Sequence, residues 1–348
     1  GKFNFSILKN KKMNLQEINS IISKIKNKVY SPIYFLMGEE TYYIDYITDL
    51  LNQNVLNENE KNFNKTVLYA KDTSIDYLIS CCKRYPMMSE YQLVILKEGQ
   101  DLSRNIENLS NYALNPLLST ILVVNYKYKS LDKRKKLYKN IQKFGTIIEC
   151  KKIYENKVPQ WIVNNLNKEN YSIDMKSCSM LIDYLGNDLK KIDNQLSKLK
   201  IICTETKQIN PNLIEEHIGI SKDYNVFELR NALGVNDLSK ALKICNYLSS
   251  NINKHPIQMT LSSLFNFFIQ IFQYHSISNK SQNNVASVLG INPYFVKDYV
   301  QASKYFSMKK ISNIISLIKD SDLKSKGLGV VNTSNKDLLR QLIIQILN

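Results

Sequence analysis

The spacing of apolar and polar positions divides the chain near residue 150. Before it, short apolar runs alternate with amphipathic stretches. Ile33–Met37, Thr66–Tyr69, Gln92–Lys97, Thr120–Asn125 and Thr146–Glu149 carry the β-branched and aromatic residues that suit a pleated surface. Between them, Tyr43–Leu56, Ser74–Arg84, Leu102–Leu114 and Leu131–Ile141 repeat apolar residues at helical spacing, and a helix near Asn14–Val29 precedes the first run. Strands separated by helices predict βαβ units and a parallel, five-stranded sheet. Leu93-Val94-Ile95-Leu96 and Ile121-Leu122-Val123-Val124 are apolar throughout, as strands covered on both faces are.

After Cys150 the strand signals fade. Helices are predicted over Asn156–Asn167, Met175–Leu185 and Asp188–Leu199, the last with Leu189, Ile192, Leu196 and Leu199 on one face. Ile201–Lys207 reads as a short strand or turn. Asn210-Pro211 starts another helix, with asparagine as cap and proline in the first turn, and Gly219 ends it. From Ile220 on, helices are predicted over Asn225–Leu233, Leu238–Ser249, Pro256–His275, Ser281–Leu289, Pro293–Tyr305, Met308–Leu323 and Asn335–Leu347, with Gly234, Gly290 and Gly327/Gly329 at the breaks. The fold class is therefore α/β plus all-α: an α/β domain over 1–150, a small helical domain over 151–219 and a larger helical domain over 220–348.

Length agrees with several domains, since 348 residues exceed what one core normally spans. The net charge of +16 favours polyanionic partners, nucleic acid before a membrane surface, although an AT-rich genome accounts equally well for part of the lysine and asparagine load. No apolar run reaches the roughly 18 residues that span a bilayer, so no membrane partner is expected. The opening stretch from Gly1 to Lys12 lacks a long apolar region and a small-residue cleavage site, and is not expected to act as a signal peptide. Cys81, Cys82, Cys150, Cys178, Cys203 and Cys245 show no C-x-x-C spacing, and His217, His255 and His275 stand far apart. No metal site is expected, and the thiols read as small buried groups in a reducing cytoplasm.

Candidate chemistry starts after the first strand, where a parallel α/β domain would place a phosphate loop. A working P-loop needs G-x-x-x-x-G-K-[ST], so that amides approach the phosphates and a lysine neutralises them. Here Gly38, Glu39, Glu40, Thr41 and Tyr42 lead to Tyr43-Ile44-Asp45: the first glycine is present, the lysine is absent, and three carboxylates would repel a triphosphate. Glu98 after the third strand is a lone acidic candidate for magnesium, but with an unhelpful Lys97 beside it the segment reads first as a surface turn. No catalytic constellation is found.

Two surface candidates remain. Tyr85-Pro86-Met87-Met88-Ser89-Glu90 forms a turn directly before an apolar strand. Its methionines either cap the core or offer adaptable thioether side chains to a partner. Lys127, Lys129, Lys133, Arg134, Lys135, Lys136 and Lys139 interleave with Tyr126, Tyr128 and Tyr138, which suits a phosphodiester chain or simply a solvated helix face. Trp161 and the stripe Leu261, Leu264, Phe265, Phe268, Ile269 and Phe272 read as core, and His217 and His255 as structural or exposed.

Together these segments resemble the family of bacterial DNA polymerase III delta subunits, the clamp-opening members of the sliding-clamp loader. The resemblance spans nearly the whole chain. It rests on Tyr34-Phe35-Leu36-Met37-Gly38-Glu39-Glu40 with Tyr43-Ile44, on Pro86-Met87-Met88 before Leu93-Val94-Ile95-Leu96, and on Val123-Val124-Asn125 leading to Asp132-Lys133-Arg134. It rests further on Leu181–Leu199 with Gly186-Asn187-Asp188-Leu189, and on Asp223-Tyr224-Asn225-Val226-Phe227-Glu228-Leu229 with Ala232-Leu233. It implies an AAA+-like α/β module, a small helical lid and a helical collar, with a degenerate nucleotide loop at Gly38–Tyr43, no cofactor and no catalytic residue.

The turn at Pro86, Met87 and Met88 matches the family's clamp-binding turn, with methionines where leucine or aromatic side chains are frequent. The implied partners are the sliding clamp (beta), the delta prime and tau/gamma loader subunits through the collar, and primed DNA, which Lys133, Arg134, Lys135 and Lys136 are candidates to contact. The implied location is the bacterial cytoplasm, at the nucleoid. The implied function is non-catalytic: to bind and open the clamp for DNA replication. A divergent P-loop ATPase acting on nucleic acid, and a helical nucleic-acid-binding scaffold using residues 127–139, are the alternatives.

Overall fold

The computed structural model describes residues 15–253, 255–328 and 334–348. The opening stretch from Gly1 to Lys12, the first residue of the helix expected at Asn14, and Gly329 lie outside the described residues. The chain divides between Ile153 and Tyr154 into two compact units.

In the first unit α1 (Leu15–Lys26) and β1 (Ile33–Gly38) are followed by α2 (Thr41–Asn54), α3 (Glu58–Asn64), β2 (Lys65–Tyr69), α4 (Ile75–Cys82) and β3 (Gln92–Lys97). Then come α5 (Ser110–Leu114), β4 (Thr120–Lys127), α6 (Lys136–Phe144) and β5 (Thr146–Glu149). The strands form one parallel sheet in the order β2-β3-β4-β1-β5. β1 and β4 are central, and β1 is buried at every position, which accounts for its unbroken apolar run. Successive side chains alternate between faces. Ile33, Phe35 and Met37 pack with Val94, Leu122, Val124, Leu78, Leu137 and Ile141 on the α4 and α6 side. On the other face α2 is pinned to β4 by the Thr48 hydroxyl, which donates to Asn125 Oδ1 at 2.8 Å.

Three segments differ from the periodicity. Leu102–Leu114 is not one helix. It is broken into 3₁₀ turns at Gly99–Leu102 and Ile106–Leu109 followed by α5. Ser103, Asn105, Asn108 and Ser110 punctuate this run, and such side chains compete with helical hydrogen bonding. α6 starts at Lys136 rather than at Leu131, because Asp132 turns the chain by accepting from the Arg134 amide at 3.0 Å. α3 has no apolar stripe and escaped the pattern. A reciprocal capping box, Asn57 Oδ1 with Glu60 N and Glu60 Oε2 with Asn57 N, both at 2.9 Å, starts it.

The second unit is helical. α7 (Val158–Asn167), β6 (Ser172–Ile173), α8 (Met175–Leu185), α9 (Leu189–Ile202), β7 (Gln208–Ile209) and α10 (Pro211–Ile218) come first. β6 and β7 pair in parallel over two residues, a bridge too short to leave a sequence period. There follow α11 (Val226–Gly234), α12 (Leu238–Ser250), α13 (Ile257–Ser276), α14 (Gln282–Leu289), α15 (Val296–Ser303), α16 (Met308–Ser325) and α17 (Asn335–Leu347). A single apolar cluster joins α11 to α17. In α13 the buried line runs Leu261, Leu264, Phe268 and Ile271. Phe265 is 41% exposed and leaves the stripe, while Phe267 takes its place in the core. Trp161 and His255 are buried.

Candidate functional site

In a parallel sheet every strand enters at the same end. The segments leading into β2, β3 and β4 therefore meet at one edge, and those leaving β1, β3 and β4 meet at the other. Strands of about six residues put the two edges roughly 20 Å apart. The turn around Met87 lies at the first edge. The Gly38 loop and the basic stretch lie at the second.

The turn is held at both ends by buried amides. Gln92, the first residue of β3, directs its side-chain Nε2 at the Arg84 carbonyl and donates to the Thr120 hydroxyl at 2.7 Å, which in turn donates to Cys82 O at 2.8 Å. Asn64, the last residue of α3, accepts from the Met87 amide at 2.6 Å and donates to the Met87 carbonyl at 2.9 Å. Met88 then takes a φ of 52°, left-handed and strained for a residue with a β-carbon. Pro86 is half-buried, Met87 is 64% exposed and Met88 is fully exposed. The methionines do not cap the core. Beside them, exposed Tyr85 and Leu118 line an open groove with Pro116 and Lys83.

At the opposite edge the sheet reverses strand order around β1, where nucleotides bind in open α/β sheets. Here the amides that would meet phosphate are already bonded. Gly38 N donates to Lys129 O at 3.0 Å and Glu40 N to Cys150 O at 2.9 Å. The buried Glu40 carboxylate caps α2 by accepting from the Tyr42 amide at 3.3 Å, so an anion already stands at the helix N-terminus. Gly38 has a φ of 120°, and a β-carbon there would lie 2.3 Å from the Cys150 carbonyl oxygen. Its glycine serves a close backbone approach. Glu39 is exposed, Thr41 and Tyr42 are half-buried, and Tyr43 is buried.

Lys127 at the end of β4 lies 3.0 Å from both Asp45 Oδ1 and Glu98 Oε1. Burial alone would lower the Lys127 pKa, but its hydrogen bonds to the two carboxylates outweigh this and raise it. Hydrogen bonding from Gln100, and then from Lys127, holds Glu98 below the usual carboxylate range. The acidic groups at this end of the sheet, Asp45 and Glu98, are thus already paired with a protein ammonium. Among the described residues no cluster of three or more His, Cys, Asp or Glu is arranged for a metal ion.

The basic stretch is partly neutralised. Lys133 pairs with Glu149 at 3.2 Å, and Arg134 forks onto Asp132 through Nε at 3.0 Å and Nη2 at 2.8 Å, holding that carboxyl well below its ordinary pKa. Lys135, Lys136 and Lys139 face solvent. Of the interleaved tyrosines, Tyr126 is buried against Phe35 and Tyr138 is half-buried, so Tyr128 is the one exposed ring. Among the described residues no helix is long and apolar enough to cross a membrane.

Three residues on which these sites depend, Asn64, Gln92 and Lys127, were not singled out for those roles by sequence pattern. The available signals were slight: a glutamine opening an otherwise apolar strand, and an asparagine ending a polar run.

Two models of one family match. The model for the DNA polymerase III delta subunit matches residues 34–151, and that for its C-terminal domain matches residues 223–344. The DNA polymerase III subunit delta of Bacillus subtilis is 25% identical over 332 residues, covering 92% of this chain and 93% of that protein. The probable DNA polymerase III subunit delta of Aquifex aeolicus is 22% identical over 238 residues, covering 66% and 65%. Among solved structures, the Bacillus subtilis DNA clamp loader delta protein superposes with a TM-score of 0.55 at 25% identity, covering 95% of this chain and 99% of that one.

Proposed function

The chain belongs to the DNA polymerase III delta subunit family, with a role in the clamp loader, and from that premise we propose that it binds the sliding clamp through Met87 and Met88 and opens it. The observation that carries this reading is the pair of exposed methionines on a turn fixed at both ends by Asn64 and Gln92. A soluble fold gains nothing by holding two adjacent apolar side chains out in water on an ordered backbone, whereas a partner's pocket does. Fully burying one methionine stabilises a complex by about 1.5–3 kcal/mol, or roughly ten- to a hundredfold in affinity.

The chain itself does no phosphoryl chemistry in this account. The loop after β1 supports this: Glu40 caps α2, the Glu40 amide is bonded to Cys150 O, and Lys127 is paired with Asp45 and Glu98. ATP hydrolysis belongs to partner subunits, whose motion exposes the turn. Residues 1–150 act as the clamp-binding module, 151–219 as the lid and 220–348 as the collar that joins the delta prime and tau/gamma subunits. The exposed Lys135, Lys136 and Lys139 lie at the sheet edge away from the turn, so they are free to meet primed DNA while the methionines hold the clamp.

A fluorophore pair placed across one interface of the cognate clamp ring tests the opening step. Adding the chain without ATP is expected to separate the pair saturably. Binding without separation would leave a clamp-binding subunit that does not open the ring.

A further inference from the structure

We propose that Asn64 is the positioning residue of the docking turn: it fixes the Met87 backbone so that Met87 and Met88 are presented together before any partner arrives. This rests on the clamp-binding reading above and adds to it a residue from a separate element.

α3 is an unusual helix. Asn64 is its one buried residue, and Phe63 beside it is 73% exposed. The helix therefore offers little apolar surface to the core, and its local contacts are polar: the Asn57–Glu60 capping box and the Lys61–Glu58 pair at 2.6 Å. What it delivers to the interior is a carboxamide. That carboxamide meets the backbone N–H and C=O of Met87 as a neighbouring strand would, donating 2.9 Å to the carbonyl and accepting 2.6 Å from the amide. Both hydrogen-bonding groups of one exposed residue's backbone are thereby bonded to a side chain 23 positions away. The next residue, Met88, is the one that adopts φ 52°. A left-handed methionine persists only where its surroundings hold it, and the adjacent two-point anchor is what holds it here. An ordered turn loses less conformational freedom on docking than a loose one, so the anchor acts as preorganisation.

Titrating full-length protein against the immobilised cognate clamp tests this with four chains: wild type, Asn64→Ala, Met87→Ala/Met88→Ala, and the triple variant. Asn64→Ala is expected to weaken binding about tenfold, and the triple variant to bind no more weakly than the methionine double, because Asn64 acts only through those side chains. Asn64→Asp keeps the acceptor for the Met87 amide, loses the donor, and is expected to fall between wild type and Asn64→Ala. Amide hydrogen exchange at Met87, read without any clamp, should be slow in the wild type and accelerate locally in Asn64→Ala. Unchanged affinity in Asn64→Ala, or a further tenfold loss in the triple variant, overturns the positioning role while leaving the methionine site standing. Unchanged affinity in the methionine double variant overturns the clamp-binding site itself. Fast Met87 exchange in the wild type overturns the anchor directly.

Discussion

Lys127 Nζ stands 3.0 Å from Asp45 Oδ1, and the same ammonium lies equally close to Glu98. A charge arrangement of the nucleotide-binding kind needs carboxylate facing metal and metal facing phosphate. In this chain the protein supplies its own cation. The expected outcome is that ATP and ADP titrations give no binding at millimolar concentration. Lys127→Met should destabilise by about 1–2 kcal/mol, discounted because solvent reaches Glu98. Glu98 has a lowered folded pKa, so its contribution is present at neutral pH and lost as pH falls below the ordinary carboxylate range. Lys127 has a raised one, so its contribution is lost only as pH rises past its ordinary value near 10.5. The difference between wild type and Lys127→Met in thermal melts should hold from pH 6 to 9 and shrink on acidification.

Gly38 gives a second test that its loop is structural. A β-carbon there would strike the Cys150 backbone carbonyl oxygen at 2.3 Å, where no flexible side chain can give way, at a φ of 120°. Gly38→Ala is expected to lower stability by about 3 kcal/mol or more in chemical denaturation. Where the variant stays folded at low temperature, its clamp affinity should match wild type, since the loop lies at the sheet edge opposite Met87.

Within the helical unit, Glu228 of α11 bridges Lys176 of α8 at 2.9 Å and Lys240 of α12 at 2.8 Å. Burial alone would raise the Glu228 pKa, but the two lysines outweigh it and the net shift is downward. Its contribution is therefore full above the ordinary carboxylate pKa and lost as pH falls through the lowered one. Glu228→Gln should cost about 1–2 kcal/mol at pH 7, discounted for the half-exposed lysines, and the gap in thermal melts should narrow below about pH 4.

The basic stretch makes an electrostatic prediction. Lys135 and Lys136 face solvent, while Lys133 and Arg134 are tied to Glu149 and Asp132. Lys135→Glu/Lys136→Glu should leave clamp binding by the free chain unchanged. It should weaken primed-DNA binding by the assembled loader and flatten its salt dependence by roughly two ions. Tight DNA binding by the chain alone would instead favour the scaffold reading.

Much of this fold was legible because its central strands are buried on both faces and its longer helices each carry an apolar stripe. β1, β3 and β4 announced themselves in that way, and so did α8 and α12. α3 was not legible. Its residues follow no apolar period, and its start depends on a capping box rather than on a core face. The methionine turn could be seen in the sequence, but the choice between core and surface could not. That choice depends on Asn64 and Gln92, whose bonds join residues 23 and 8 positions apart. The inverted charge of the Gly38 loop was visible from Glu39, Glu40 and Asp45. The lysine that answers it sits 82 positions beyond Asp45 and becomes its partner only when β4 lies beside β1.

The collar assignment predicts a division of labour. A chain ending at Gly219 is expected to bind the clamp as the full chain does and to fail to join the other loader subunits in size-exclusion chromatography. Retained assembly would place the joining surface elsewhere.

The most direct test is equilibrium binding of Met87→Ala/Met88→Ala to the cognate clamp, with thermal stability measured on the same samples. Because both side chains are exposed, stability should change by no more than about 0.5 kcal/mol while affinity falls at least about tenfold. Full affinity with a large loss of stability would contradict the account and return the two methionines to the core.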